Sequence, residues 1–321
     1  MEAKKLRIVF MGTPEFSVAI LKAIVEKGYT VAGVVTAPDK PSGRGLQVHE
    51  PEVKKFAQSQ HLKVMQPEKL KSPEFIEELK SLNADLQIVV AFRMLPEQVW
   101  KMPKIGTFNL HASLLPQYRG AAPINWAIIN GENKTGLTTF LIDNEIDTGK
   151  ILLKHEMEIF ENETAGHLHD RMMIEGQELV IQTIELLASG TFKAVKQQEL
   201  NQNEELKPAP KIFKENCRIG WNKNVIKIYN FIRGLSPYPC AWSVIENKES
   251  GKQLTIKIFE TSYRAEKHGM EPGSIKLEEK TLLIAANEGF ISPTEVQLEG
   301  KKKMPIDQFL RGFPIHSYKF I

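Results

Sequence analysis

The amino-acid sequence predicts an α/β fold class: a mostly parallel sheet domain over residues 1–200, a linker at 201–215, and a small antiparallel β-barrel over 216–321. Three observations carry this. In the first 200 residues short apolar runs alternate with stripes of helical period, a spacing that implies βαβ units and a Rossmann-like sheet. From Ala241 onward the pattern changes to short strands separated by turn residues, as in a small OB-like barrel or a sandwich. The charge also divides: residues 1–207 carry 24 Lys+Arg against 27 Asp+Glu, and 208–321 carry 18 against 12. The basic half is the one suited to a polyanion.

In order, Leu6–Met11 is an apolar run ending at Gly12 and reads as a buried first strand. Pro14 suits a first helical turn, and Phe16, Ile20, Leu21 and Ile24 give the stripe of the helix that follows. Tyr29–Thr36 alternates as a second strand. Residues 37–47, APDKPSGRGLQ, with the basic residues Lys40, Arg44 and nearby Lys54, are too polar and too broken by Pro and Gly to be an element. Glu52–Gln60 and Pro73–Leu82 have helical spacing. Lys63–Met65, Leu86–Ala91 and Gly106–His111 read as the third, fourth and fifth strands. Leu137–Ile142 and Ile151–Glu156 are further strand candidates, and a long helix over Ala165–Ala188 closes the domain at Gly190. The polar, Pro-containing stretch 201–215 reads as a tether. Asn224–Ile232 has helical spacing. WSVIE, QLTIKIFE, GSIKLE, TLLIAA and GFISPTEVQLE are the strands of the second domain.

Composition excludes several classes. Hydrophobic residues at 42% and charged residues at 25% are ordinary globular values. No apolar run approaches the roughly 18–20 residues that cross a bilayer, so no membrane partner is expected. The start, MEAKKLRIVFMG, enters a strand with no cleavage-site pattern, so no signal peptide is expected. Cys217 and Cys240, the two cysteines, lack ligand or CxxC spacing, which points to a reducing cytoplasmic setting without zinc. There is no GxSxG elbow. Gly12-Thr13-Pro14-Glu15-Phe16 lacks the later glycines of a dinucleotide turn, and Thr148-Gly149-Lys150 is an incomplete phosphate loop. His167 and His169, two apart, do not share a helical face, and with Asp170 they read as a solvated helix start.

The stretch from Gly106 to Asp147 organises the rest. In Thr107-Phe108-Asn109-Leu110-His111 polar and apolar residues alternate, so Thr107, Asn109 and His111 share one strand face. Ligands of open α/β sheets sit outside the carboxyl ends of the strands. An amide and an imidazole side by side there can both point at one carbonyl oxygen.

Asn109, His111, Ser113-Leu114-Leu115-Pro116, Arg119-Gly120-Ala121-Ala122-Pro123-Ile124 and Asp147-Thr148-Gly149 together resemble the folate-dependent formyltransferase family. The resemblance extends to Gly12-Thr13-Pro14, to Pro38-Asp39 and Gly43-Arg44-Gly45, and to the junction at 208–221. It implies Asn109, His111 and Asp147 as the catalytic trio. It implies a pocket for 10-formyltetrahydrofolate lined by Ala91, Phe92, Arg93, Met94 and Leu95 with Ser113, Leu114, Leu115 and Pro116. Asp143 and Glu145 read as loop acids, and Asp143 is counted with the pocket. Arg93 and Met94 stand where the family has a glycine. The loop and the C-terminal domain narrow the resemblance to members acting on initiator methionyl-tRNA. Lys40, Arg44, Lys211, Lys301, Lys302 and Lys303 are then the expected tRNA contacts, and a cytoplasmic monomer without metal is the expected form.

In the chemistry so implied, an amine attacks a formyl carbon, and Asn109 and a ring N–H of His111 stabilise the oxyanion. Asp147, beside His111, relays protons. Two rivals remain at this point. One is a formyltransferase of the same fold acting on a small amine, which needs no basic second domain. The other is a non-catalytic RNA-binding protein, which needs no Asn–His–Asp set.

Overall fold

The computed structural model describes residues 2–42, 47–200 and 205–321. The chain divides into two compact units, each drawn from three stretches. The first comprises Met1–Gly120, Thr135–Met157 and His169–Pro208, and the second Ala121–Lys134, Glu158–Leu168 and Ala209–Ile321.

The first unit is built on β1 (Ile8–Gly12), β2 (Val31–Val35), a hairpin of β3 (Lys40–Ser42) and β4 (Gln47–His49), β5 (Val64–Met65), β6 (Leu86–Val90), β7 (Gly106–His111), β8 (Lys134–Leu141) and β9 (Ile151–Glu158). Seven of these form one sheet in the order β5-β2-β1-β6-β7-β8-β9. The β2, β5, β6 and β7 pairings are parallel, and β8 joins β7 antiparallel. Every residue of β1 and β6 is buried, as expected of central strands covered on both faces. The chain runs outward from β1 to β2 and then returns to place β6 on its other side. The crevice of such a sheet opens at that reversal, beyond the carboxyl ends of the strands.

Helices α1 (Glu15–Glu26), α2 (Glu52–Ser59), α3 (Pro73–Ser81) and α4 (Glu97–Trp100) cover this sheet. In α1 the stripe Phe16, Ile20, Leu21 and Ile24 is buried, each side chain contributing about 1.5–3 kcal/mol. Ser17 of the same helix donates to Val90 C=O at 2.7 Å, which fixes the helix start to the end of β6. Ser72 caps α3 by accepting from Phe75 N–H, and Pro73 occupies its first turn. Helix α5 (Pro123–Ile129) falls in the second unit, while the 25-residue α6 (Ala165–Ser189) lies in the first from His169 onward. Gly176 lets α6 approach β7, since a Cβ there would lie 3.1 Å from Leu110.

The second unit holds α7 (Val225–Leu235), β10 (Ala241–Asn247), β11 (Gln253–Ala265), β12 (Ile275–Glu278), β13 (Thr281–Ala286), β14 (Gly289–Leu298), β15 (Met304–Pro305), α8 (Ile306–Gly312) and β16 (Tyr318–Phe320). Its strands pair antiparallel in the order β12-β13-β14-β11-β10-β16, with β15 on β14. The sheet curls until its ends meet, where Phe320 N–H donates to Gly273 C=O at 3.0 Å. Gly273 has φ +84°, and a Cβ there would stand 2.1 Å from the Phe320 oxygen, so that closure requires glycine. Val225, Ile228, Ile232 and Leu235 of α7 bury against Ile245, Ile256 and Ile284. Asn224 caps α7 through Ile226 N–H at 2.9 Å.

One expectation is corrected here. The stretch 37–47 is not elementless: β3 and β4 pair in register, Lys40 with His49 and Pro41 with Val48. A two-stranded ribbon tolerates a proline that a central strand would not.

Candidate active site

Strand β7 carries Asn109 and His111 to the carboxyl edge of the sheet, between β6 and β8. Asn109 has its carbonyl oxygen buried and without a hydrogen-bond partner. His111 is 6% exposed. Its Nε2–H donates to Tyr118 C=O at 2.9 Å, and its Nδ1 lies 3.7 Å from Asp147 Oδ2. The same carboxylate oxygen accepts from Gly120 N–H at 2.9 Å. His111 and Asp147, 36 residues apart in sequence, thus stand together within one unit. The sequence left open which ring nitrogen faces the reaction. Because Nε2 is engaged by Tyr118, Nδ1 is the nitrogen left to exchange a proton.

The turn after β7 holds this arrangement. Tyr118 and Gly120 have φ of +60° and +126°, and Asp147 has φ +56°. Left-handed non-glycine residues cost on the order of 1–3 kcal/mol each, and they collect where a site needs an unusual backbone. Thr138 Oγ1 donates to Ser113 C=O at 2.6 Å and accepts from Leu115 N–H at 3.1 Å. Ser113 Oγ donates to Gln117 C=O at 2.7 Å. Beyond them, Tyr118 N–H donates to Lys207 C=O at 2.7 Å, and Gln117 Oε1 accepts from Lys207 N–H at 2.9 Å.

Among the expected pocket residues, Ser113 and Leu115 are fully buried, so their side chains belong to the scaffold. Leu114 and Pro116 are half-buried. Ala91 is exposed with φ +46°. Phe92 and Leu95 pack into the core beside β6, and Met94 is 69% exposed. Arg93 donates to Glu68 C=O at 2.9 Å and to Pro67 C=O, so it ties this loop to a neighbouring one. Partial burial pulls the Arg93 guanidinium below its ordinary range. Asp143 accepts from Thr148 Oγ1 at 2.8 Å and Glu145 N–H at 3.1 Å, which orders the loop before Asp147.

Of the expected tRNA contacts, Arg44 lies outside the described residues. Lys40 is exposed on β3. Lys54, which sequence groups with the basic loop, is instead 12% exposed and neutralised by Asp39 at 2.5 Å and Glu50 at 2.7 Å. These carboxylates flank the hairpin at its two ends, so Lys54 clasps its base. Gln66 also donates to Asp39, and together with Lys54 it holds that carboxyl below its usual range. In the second unit Lys211 lies over the Phe213 ring. Lys301 and Lys302 are exposed, while Lys303 pairs with Glu295 at 2.6 Å.

No group of three or more His, Cys, Asp or Glu placed to hold a metal occurs among the described residues. No helix there is long and apolar enough to cross a membrane.

Sequence reasoning gave no site role to Tyr118, to Gly120 (named within its motif), to Thr138 or to Gln197. The first two act through backbone groups, which residue types do not advertise.

Comparison with known proteins places the chain in a family. The formyl transferase profile matches residues 6–184, and the profile of the formyl transferase C-terminal domain matches 211–314. The two profiles together define a formyltransferase. The methionyl-tRNA formyltransferase of Phocaeicola vulgatus is 55% identical over 316 residues, 98% of this chain and 97% of that protein. That of Bacteroides fragilis is 52% identical over 314 residues, again 98% and 97%. The chain belongs to the methionyl-tRNA formyltransferase family. The fold also matches the crystal structure of an N-formyltransferase from Helicobacter canadensis in complex with folinic acid and dTDP-3-aminofucose, with a TM-score of 0.63 at 22% identity, covering 90% of this chain and 98% of that one.

Proposed function

We propose that this chain transfers a formyl group from 10-formyltetrahydrofolate to the α-amine of initiator methionyl-tRNA. The observation that carries the reading is that Asn109 and His111 stand two residues apart at the end of β7, with His111 Nδ1 3.7 Å from Asp147. The rim also fits a formyl donor: the Asn109 amide, whose buried oxygen has no partner, offers hydrogen-bonding groups that a carbonyl and an amine can take up.

The donor supplies its formyl group as an N-formyl amide. Attack by the amine nitrogen forms one C–N bond, and collapse breaks the bond to the donor nitrogen. The amine loses a proton, and the leaving nitrogen gains one. Asn109 donates an N–H to the oxygen on which charge develops, a contribution of about 10²–10³ in rate. His111 Nδ1 takes and returns the proton while Asp147 faces the charge so formed. The Tyr118 carbonyl keeps the ring from turning.

The 91–95 and 113–116 loops and Asp143 are assigned to the folate. Lys40 of β3, Arg44, Lys211, Lys301, Lys302 and Lys303 are assigned to tRNA. The enzyme works as a monomer in the cytoplasm, where charged initiator tRNA is used. The direct test is formyl transfer from 10-formyltetrahydrofolate to charged initiator tRNA, with uncharged and elongator tRNA as controls. Absence of transfer to the charged initiator would refute the reading.

A further inference from the structure

Gln197 is 1% exposed, lies 50 residues beyond Asp147, and belongs to no motif. Yet every polar atom of its side chain is engaged. Its Nε2 donates to Asp147 C=O and to Gly149 C=O, both at 2.8 Å. Its Oε1 accepts from Arg119 Nε at 3.0 Å and Nη2 at 2.6 Å. Arg119 stands between Tyr118, whose carbonyl holds His111, and Gly120, whose N–H holds the Asp147 carboxylate.

We propose that Gln197, anchored by Arg119, is a positioning residue that holds Asp147 in its left-handed conformation and so sets the Asp147–His111 distance. This rests on the catalytic role given to Asp147 above. The 147–149 backbone needs such a tie. Asp147 has φ +56°, and Gly149 passes so close to Leu141 that a Cβ would stand 1.7 Å from its carbonyl oxygen. A carboxamide is suited to the place, because it presents two N–H groups to the two carbonyls and an oxygen to the guanidinium. A carboxylate of the same shape keeps the Arg119 contact and loses both donors.

The test is steady-state kinetics on the full chain. Gln197→Glu is expected to lower kcat by about 10- to 100-fold, the scale of an ångström-sized misplacement. KM for folate and for tRNA should stay within about twofold, since the misplacement lies at the reacting atoms. Combined with Asp147→Asn it should add no further loss, because both changes act through one carboxylate. Wild-type kcat in Gln197→Glu, or losses that multiply in the pair, would overturn the proposal. If Gln197→Glu does not fold, Arg119→Lys carries the test. It removes the two-pronged contact and should lower kcat at unchanged KM, and wild-type kcat there would overturn the proposal equally. Wild-type turnover in Asp147→Asn would instead refute the catalytic role of Asp147. A loss there with intact Gln197→Glu turnover refutes this inference alone.

Discussion

Asn109→Leu should make the protein more stable and nearly inactive. Leucine has the branched outline of asparagine without its polar atoms. The Asn109 oxygen is buried with no partner, and a buried unsatisfied group costs about 1–3 kcal/mol, which an apolar replacement of the same shape relieves. For a unit of this size each kcal/mol moves the unfolding midpoint by about 2–4 °C, so a rise of several degrees is expected in calorimetry. The same change removes the amide N–H proposed to donate to the developing oxyanion, which should lower kcat by about 10²–10³, read in single-turnover formyl transfer. The two signs must appear together. A fall in the midpoint alongside lost activity would make Asn109 a structural residue, and kcat within tenfold of wild type would remove it from the oxyanion site.

Lys54→Met should raise KM for tRNA severalfold and leave KM for folate unchanged, because Lys54 clasps the hairpin through Asp39 and Glu50; equal losses for both substrates would refute this. Replacing Lys301 and Lys302 together by Ala should reduce the slope of log affinity for tRNA against log salt by roughly 1.5–2. Lys303→Ala should change it less, since Lys303 is already paired with Glu295. Arg264, and then Lys276, hold the Glu278 carboxyl down at about 2, below the ordinary 4.5. A lowered carboxyl stabilises the fold above its unfolded value and loses this as pH falls through the folded one. Glu278→Gln should therefore lower the unfolding midpoint at pH 7, with the gap closing between about pH 4.5 and 2. Burial pushes the Cys240 thiol up to about 12, so iodoacetamide at pH 8 should leave it unmodified in the native protein and alkylate it in urea, by mass spectrometry.

Much of the fold is legible because its signals are local. The β7 boundaries follow from strict alternation across Gly106–His111, and β1 and β6 read as strands because both faces of a central strand must be apolar. The hairpin at 40–49 escapes because Pro41 argues against a strand and its pairing partner alone reveals it. The α5 helix is short and has no polar cap side chain to announce it. In the site, side-chain chemistry marks Asn109, His111 and Asp147. What holds His111 and Asp147 is a Tyr118 carbonyl, a Gly120 N–H and a distant Gln197, groups whose importance arises only from tertiary placement. For the same reason the clasp that Lys54 makes with Asp39 and Glu50 shows only in the fold.

The pairing of Lys207 with Gln117 and Tyr118 has a practical corollary. Composition invites a cut near residue 200 to isolate the formyl-transferring half. Such a fragment would leave behind the short strap that backs the turn gripping His111, and its imidazole would sit on an unsupported shelf. A minimal catalytic piece has to keep the chain through Pro208, so the boundary that matters to the engineer falls inside what looks like dispensable tether.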